Sequence, residues 1–122
     1  STTLQIDPNY AQAYANLANV YRTLNHRDKA LENYAKALQL KPEAIIYYNM
    51  AHIYYESGDI DKAIELYNQA LSIKTGYPKA YVNLAIIYLQ REEYHRAKEN
   101  YKKALKAGYD IEPGLRDIFD RL

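Results

Sequence analysis

Apolar positions along this chain recur with the spacing of a helix face. Tyr14, Leu17, Ala18 and Tyr21 fall at i, i+3, i+4 and i+7, which places them on one side of an α-helix. Ala30, Leu31, Tyr34, Ala37 and Leu38 repeat the pattern after a polar break, TLNHRD at 23–28. The same order then returns twice. The octamers YANLANVY (14–21), YYNMAHIY (47–54) and YVNLAIIY (81–88) begin and end on Tyr, with Asn third and Ala fifth. Tyrosines recur as Tyr14/Tyr21/Tyr34, Tyr47/Tyr54/Tyr67 and Tyr81/Tyr88/Tyr101, and alanines as Ala18/Ala30/Ala37, Ala51/Ala63/Ala70 and Ala85/Ala97/Ala104. A fixed period of this length marks a repeat architecture, in which each unit buries its apolar face on its neighbours.

The pattern predicts units at 11–43, 44–77 and 78–111, each of two helices separated by a short breaker. Alanine fits where two helix backbones approach, because a larger side chain would force them apart. Tyrosine fills the remaining volume and keeps its hydroxyl near a rim or a partner. The breakers TLNHRD, ESGDID (56–61) and QREEYH (90–95) separate the two helices of each unit. Asn25 and Gly58 suit the left-handed residue that closes a helix, whereas Glu92 stands at that place in the third copy. Asp28, Asp59 and Asp61 are placed to cap or charge-match the next helix. Pro42 marks an end, and Pro78 suits a first helical turn. Glu32/Lys36, Glu92/Arg96 and Glu99/Lys103 are read as solvated i,i+4 pairs.

These residues resemble the tetratricopeptide repeat family. The resemblance rests on the alanine and tyrosine sets above and on Pro42, and it spans residues 11–111. It implies an all-α, right-handed α-solenoid of three helix-turn-helix units. Thr75 where Pro42 aligns, and Lys98 at the Leu31/Ile64 position, are modest departures. At the start of the chain, LQIDPNYA (4–11) aligns with LQLKPEAI (38–45), so residues 1–10 read as the remnant of a preceding repeat or a linker. At the other end, Leu115, Ile118, Phe119 and Leu122 share a face after Pro113. Residues 112–122 are therefore expected to form a capping helix over the last unit.

In the resembled fold the first helix of each unit lines a concave groove. Helical geometry then places Gln12, Ala15, Asn16, Asn19, Arg22 and Thr23 on that stripe in the first unit. Ile45, Tyr48, Asn49, His52, Tyr55 and Glu56 follow in the second, and Lys79, Val82, Asn83, Ile86, Leu89 and Gln90 in the third. Asn16, Asn49 and Asn83 are equivalent, so they form a ladder whose amides each offer a donor and an acceptor to an extended peptide. The bland alternative is that these amides bond only within or between their own helices. Tyr48, Tyr55, Val82, Ile86 and Leu89 are expected to be exposed, as an apolar patch of the kind that marks an interaction site. The resemblance also brings a test. Family members that hold a chaperone's C-terminal carboxylate use Lys and Asn on one helix, Asn on the next, and Lys with Arg on a third. Asn19, Asn49 and Lys79 match, but Ala15 and Asn83 stand where cations are required. Charge-assisted bonds supply the strength of such a clamp, so that function is argued against.

Charge and composition narrow the partner. Sixteen Lys and Arg against fifteen Asp and Glu leave a net charge of +1, without the basic excess of a nucleic-acid footprint. No cysteine is present, which excludes disulfides and thiolate metal sites and permits a reducing, cytoplasmic setting. No apolar run reaches a membrane span. His26, His52 and His95 occupy non-equivalent places, and no motif for metal, phosphate or acid–base chemistry appears. The expectation is a non-enzymatic scaffold, without cofactor, that binds a peptide or helix of another protein. Self-assembly into a homo-oligomer through exposed repeat ends is the alternative.

Overall fold

The computed structural model describes residues 8–122, and among these there are seven helices and no strand. They are α1 (Pro8–Thr23), α2 (Arg27–Leu40), α3 (Ala44–Glu56), α4 (Ile60–Ile73), α5 (Pro78–Gln90), α6 (Tyr94–Lys106) and α7 (Pro113–Asp120). Helix α1 starts at Pro8, so residues 8–10 are part of the first helix rather than a tail ahead of it. Leu4 and Ile6, expected to belong to a preceding repeat, lie outside the described residues. The chain divides into two compact units, one ending at Gln69 and the other running from Ala70 to Leu122.

All nine repeat alanines are buried, as close helix packing requires. So are the second-helix tyrosines Tyr34, Tyr67 and Tyr101. In the first unit Ala18, Ala30, Tyr34 and Ala37 join Ile46 and Ile53 in one core, with Tyr14 and Tyr21 packed half-buried against it. Helix α2 thus packs on both α1 and α3. In the second unit Ala85, Ala97, Tyr101 and Ala104 form the corresponding core. First-helix tyrosines carry cations at equivalent places. Lys36 and Lys29 lie over Tyr14 and Tyr21, as Lys103 and Arg96 lie over Tyr81 and Tyr88. Each such pair is worth about 0.5–1 kcal/mol at a surface.

Four helices close in one way. After α1 the His26 N–H donates to the Tyr21 carbonyl at 2.8 Å, and the Asn25 N–H to that of Arg22 at 3.0 Å. The same pair of bonds follows α3 at Gly58 and Asp59, α5 at Glu92 and Glu93, and α6 at Gly108 and Tyr109. These are Schellman closures, whose turning residue must be left-handed. Asn25 (φ 63°), Gly58 (φ 89°), Glu92 (φ 62°) and Gly108 (φ 90°) supply it. The third turn is therefore the same as the others despite its glutamate, and it holds an L-residue where about 1 kcal/mol of strain is expected. Because Glu92 leaves the helix there, Arg96 pairs instead with Glu93 at 3.4 Å. Glu32 and Lys36 pair as expected, at 3.5 Å.

Pro113 opens α7, where the Glu112 carboxylate accepts from the Gly114 N–H at 2.8 Å. Phe119 is buried and stacks on Tyr101 with ring centroids 4.7 Å apart. The Tyr101 hydroxyl donates to the Asp120 carboxylate at 2.8 Å. The capping helix therefore exists, but it rests on Phe119 and the half-buried Leu115. Ile118 and Leu122, expected on the same face, remain exposed.

Candidate functional site

A connected polar cluster lies in the first unit, where α1, α2 and α3 meet. Tyr34 reaches up from α2, buried along its ring. Its hydroxyl donates to the Asn19 side-chain oxygen and accepts from the Arg22 Nε at 3.2 Å. The Asn49 amide, on α3, donates to the same Asn19 oxygen at 3.5 Å. Burial pushes the Tyr34 phenol pKa up, and the nearby Arg22 guanidinium partly offsets this. These bonds engage the oxygen of Asn19 and the nitrogen of Asn49, and so fix both amides in orientation. The opposite ends are an NH2 on Asn19, a donor, and a C=O on Asn49, an acceptor.

The other expected residues of this unit lie along the same two helices. Gln12 donates to the Asn16 side-chain oxygen at 3.0 Å, both exposed. Asn16 is thus tied within α1 while its equivalent Asn49 reaches across to α1, so the two are not interchangeable rungs. Ile45 is exposed. The Tyr48 ring packs on Tyr67 of α4, centroids 5.6 Å apart. His52 lies 3.5 Å from the Glu56 carboxylate and stacks beside Tyr55, ring centroids 6.5 Å apart. Tyr48 and Tyr55 are half-buried rather than exposed, and each has a ring neighbour of its own.

In the compact unit from Ala70 to Leu122 the stripe expected for the third repeat is corrected more sharply. Val82 is core, buried in a cluster that includes Ile111 and Phe119, with Ile86 and Leu89 packed against it. Helix periodicity assigned Val82 a direction, but not the later segment that covers it. Lys79 is exposed at the start of α5, and Asn83 is half-buried. Ala15, assigned to the groove stripe of α1, is likewise core. Leu17, assigned to the core, is exposed instead. Tyr34 is the residue that sequence reasoning missed. It read as volume filler, although a buried phenol needs a partner, and Asn19 and Arg22 stand one turn apart to provide one.

Among the described residues no group of three or more His, Asp or Glu is placed to hold a metal ion. No helix there is long and apolar enough to cross a membrane.

No curated protein matches the chain. Among solved structures it is similar to MamA, at 30% identity over 83% of this chain with a TM-score of 0.77, and it spans 60% of that chain. It is similar in fold to the first repeat domain of Spaghetti (RPAP3) bound to the HSP90 peptide SRMEEVD, at 19% identity, 98% and 94% coverage and a TM-score of 0.82. Yeast Tom70 shares the fold at 24% identity over 93% of this chain and 23% of that one, with a TM-score of 0.83. Models of the tetratricopeptide repeat match residues 11–43 and 43–108. Together with the period, the alanine framework and the turns, these matches make the chain a member of the tetratricopeptide repeat family.

Proposed function

We propose that the chain is a protein-interaction module whose first unit binds an extended segment of a partner protein along the face shared by α1 and α3. The observation that carries this reading is the oriented Asn19–Asn49 pair, held by the Tyr34 hydroxyl and Arg22. A peptide backbone offers one N–H and one C=O per residue, and the pair presents the complementary acceptor and donor. Both amides are already fixed, so little side-chain entropy is lost on binding. Tyr55, His52 and Ile45 flank the pair on α3 and supply apolar and aromatic contact for the segment's side chains.

Support also comes from relatives, since a repeat domain of this fold is known bound to the peptide SRMEEVD. The terminal carboxylate of such a peptide is not the proposed ligand here. Ala15 stands buried where a clamp lysine would project, and the Asn83 position carries no charge. Lys79 and Asn83 contribute contacts of their own in the second unit.

The test is display of a random peptide library against the intact chain, repeated with Asn49→Ala and with Tyr55→Ala. Enriched peptides that lose at least about tenfold in affinity with Asn49→Ala, a change of about 1.4 kcal/mol, support the reading. Binding indifferent to both substitutions overturns it. SRMEEVD itself serves as the control, expected to bind no better than its C-terminal amide.

A further inference from the structure

Arg22 sets a cation into the polar cluster where α1, α2 and α3 meet. Its side chain is half-buried, and its Nε donates to the Tyr34 hydroxyl at 3.2 Å. The same hydroxyl engages Asn19, which Asn49 also reaches. A guanidinium carries five N–H donors in a planar fork and does not shed its charge. The bond to Tyr34 uses the Nε–H and so restrains the plane. The edge formed by the two Nη nitrogens keeps a parallel pair of N–H donors, spaced for the two oxygens of one carboxylate.

The surrounding helices do not answer that charge. Helix α1, PNYAQAYANLANVYRT, contains no Asp or Glu. The one carboxylate of α3 is Glu56, which lies 3.5 Å from His52. On α2, Glu32 pairs with Lys36, and Asp28 stands in the first turn. Among the described residues no carboxylate is paired with Arg22. Its place in the last turn of α1 suits a cation because of the helix dipole. A lysine would serve the dipole equally well, however, and the dipole does not require the fork or its tie to Tyr34. The equivalent positions in the other repeats hold Tyr55 and Leu89, so the cation belongs to the first repeat. Partial burial strips water from it, and a charge that arrives there meets a lower dielectric than at an open rim.

We propose that Arg22 determines specificity at this face by taking the side-chain carboxylate of an Asp or Glu inside the bound segment. The proposal rests on the reading above, in which Asn19 and Asn49 hold the segment's backbone. The carboxylate receives two parallel Nη–H bonds, and the segment continues in both directions from it. This differs from the clamp for a chain terminus. Arg22 follows Asn19 by three residues on α1, a place where that clamp uses no cation, and the positions of two clamp cations are filled by Ala15 and Asn83.

The test uses C-terminally amidated peptides, so that no terminal carboxylate competes. Peptides enriched against the intact chain are remade with each Asp or Glu changed singly to its amide. Each pair is titrated against the parent, Arg22→Gln and Asn49→Ala. At one acidic position the change is expected to cost about tenfold in affinity on the parent and less than about twofold on Arg22→Gln. On Asn49→Ala both peptides of the pair weaken and the tenfold ratio persists. Arg22→Lys keeps the charge without the fork and is expected to reduce the ratio to about threefold, a readout that survives if the glutamine variant fails to fold. A ratio unchanged by Arg22→Gln and Arg22→Lys, or enriched peptides with no such acidic position, overturns the proposal and leaves the reading of the two amides standing. A ratio lost with Arg22→Gln while affinity ignores Asn49→Ala upholds the role of Arg22 and overturns the amide reading alone.

Discussion

Tyr34 and Tyr101 are the same residue of the repeat, and they satisfy their hydroxyls in different ways. In the first unit the partners are Asn19 and Arg22 of α1, joined by Asn49 of α3. In the second unit the positions of Asn19 and Arg22 hold Ile86 and Leu89, which pack into the apolar cluster. Tyr101 turns instead to Asp120 on the capping helix. A buried phenol needs a partner in either case, and the choice of partner decides what the neighbouring face becomes. Where the first helix supplies it, polar groups are held in order at the surface. Where the cap supplies it, the equivalent positions are apolar and half-buried.

The largest effect that would break this comparison is expected at the cap. Phe119→Ala removes the ring stacked on Tyr101 and should cost about 3–5 kcal/mol. Urea unfolding of the whole chain measures it, and a loss under about 1 kcal/mol would mean that α7 does not close the second unit. Next comes the contrast between hydroxyl partners. Asn19→Ala takes the acceptor from a buried hydroxyl and should cost about 1–3 kcal/mol. Asp120→Ala opens Tyr101 to water at an exposed position and should cost less, about 0.5–1 kcal/mol. Equal losses would remove the distinction between the units.

A smaller effect separates their turns. Asn25 closes α1, while Glu92 closes α5 with the same positive φ. Glu92→Gly should stabilise the chain by about 0.5–1 kcal/mol, since glycine adopts this conformation without strain. Asn25→Gly should gain less, because asparagine tolerates it. Thermal melts of the two variants give the comparison directly.

The smallest effect appears only in alkali. Burial raises the phenol pKa of both tyrosines, with Arg22 opposing the rise at Tyr34 and Asp120 adding to it at Tyr101. The folded state therefore holds each proton more tightly than the unfolded chain. That contribution is complete below the ordinary tyrosine pKa of about 10 and is lost as pH rises through the folded value. Tyr101→Phe and Tyr34→Phe should each flatten the decline in stability above this pH. Denaturation midpoints across that range, read as differences from the parent, check it, and a slope unchanged by a substitution would mean that the fold does not hold that hydroxyl's proton.

Much of this architecture is legible in the sequence because it is set by short-range geometry. The helical period of Tyr14, Leu17, Ala18 and Tyr21, the nine alanines and the breakers at Asn25 and Gly58 all act within one helix pair, so reading them in order places the helices and their closures. Glu92 is the turn that such reading leaves open, since a glutamate does not itself announce the positive φ that the structure shows there. What the period leaves open is coverage. It assigns each side chain a direction, but the neighbour in that direction comes from a distant part of the chain. Leu17 points to a place that its equivalent Leu84 finds filled. Val82 points toward a groove and is buried in a cluster with Phe119 of α7. Tyr34 fills the core by its ring and orders a surface by its hydroxyl. Sequence alone determined the repeat, because local sterics and periodicity suffice for it. Only the tertiary structure decided which faces are covered and which polar groups meet, because burial and hydrogen bonding depend on the partner that packing brings.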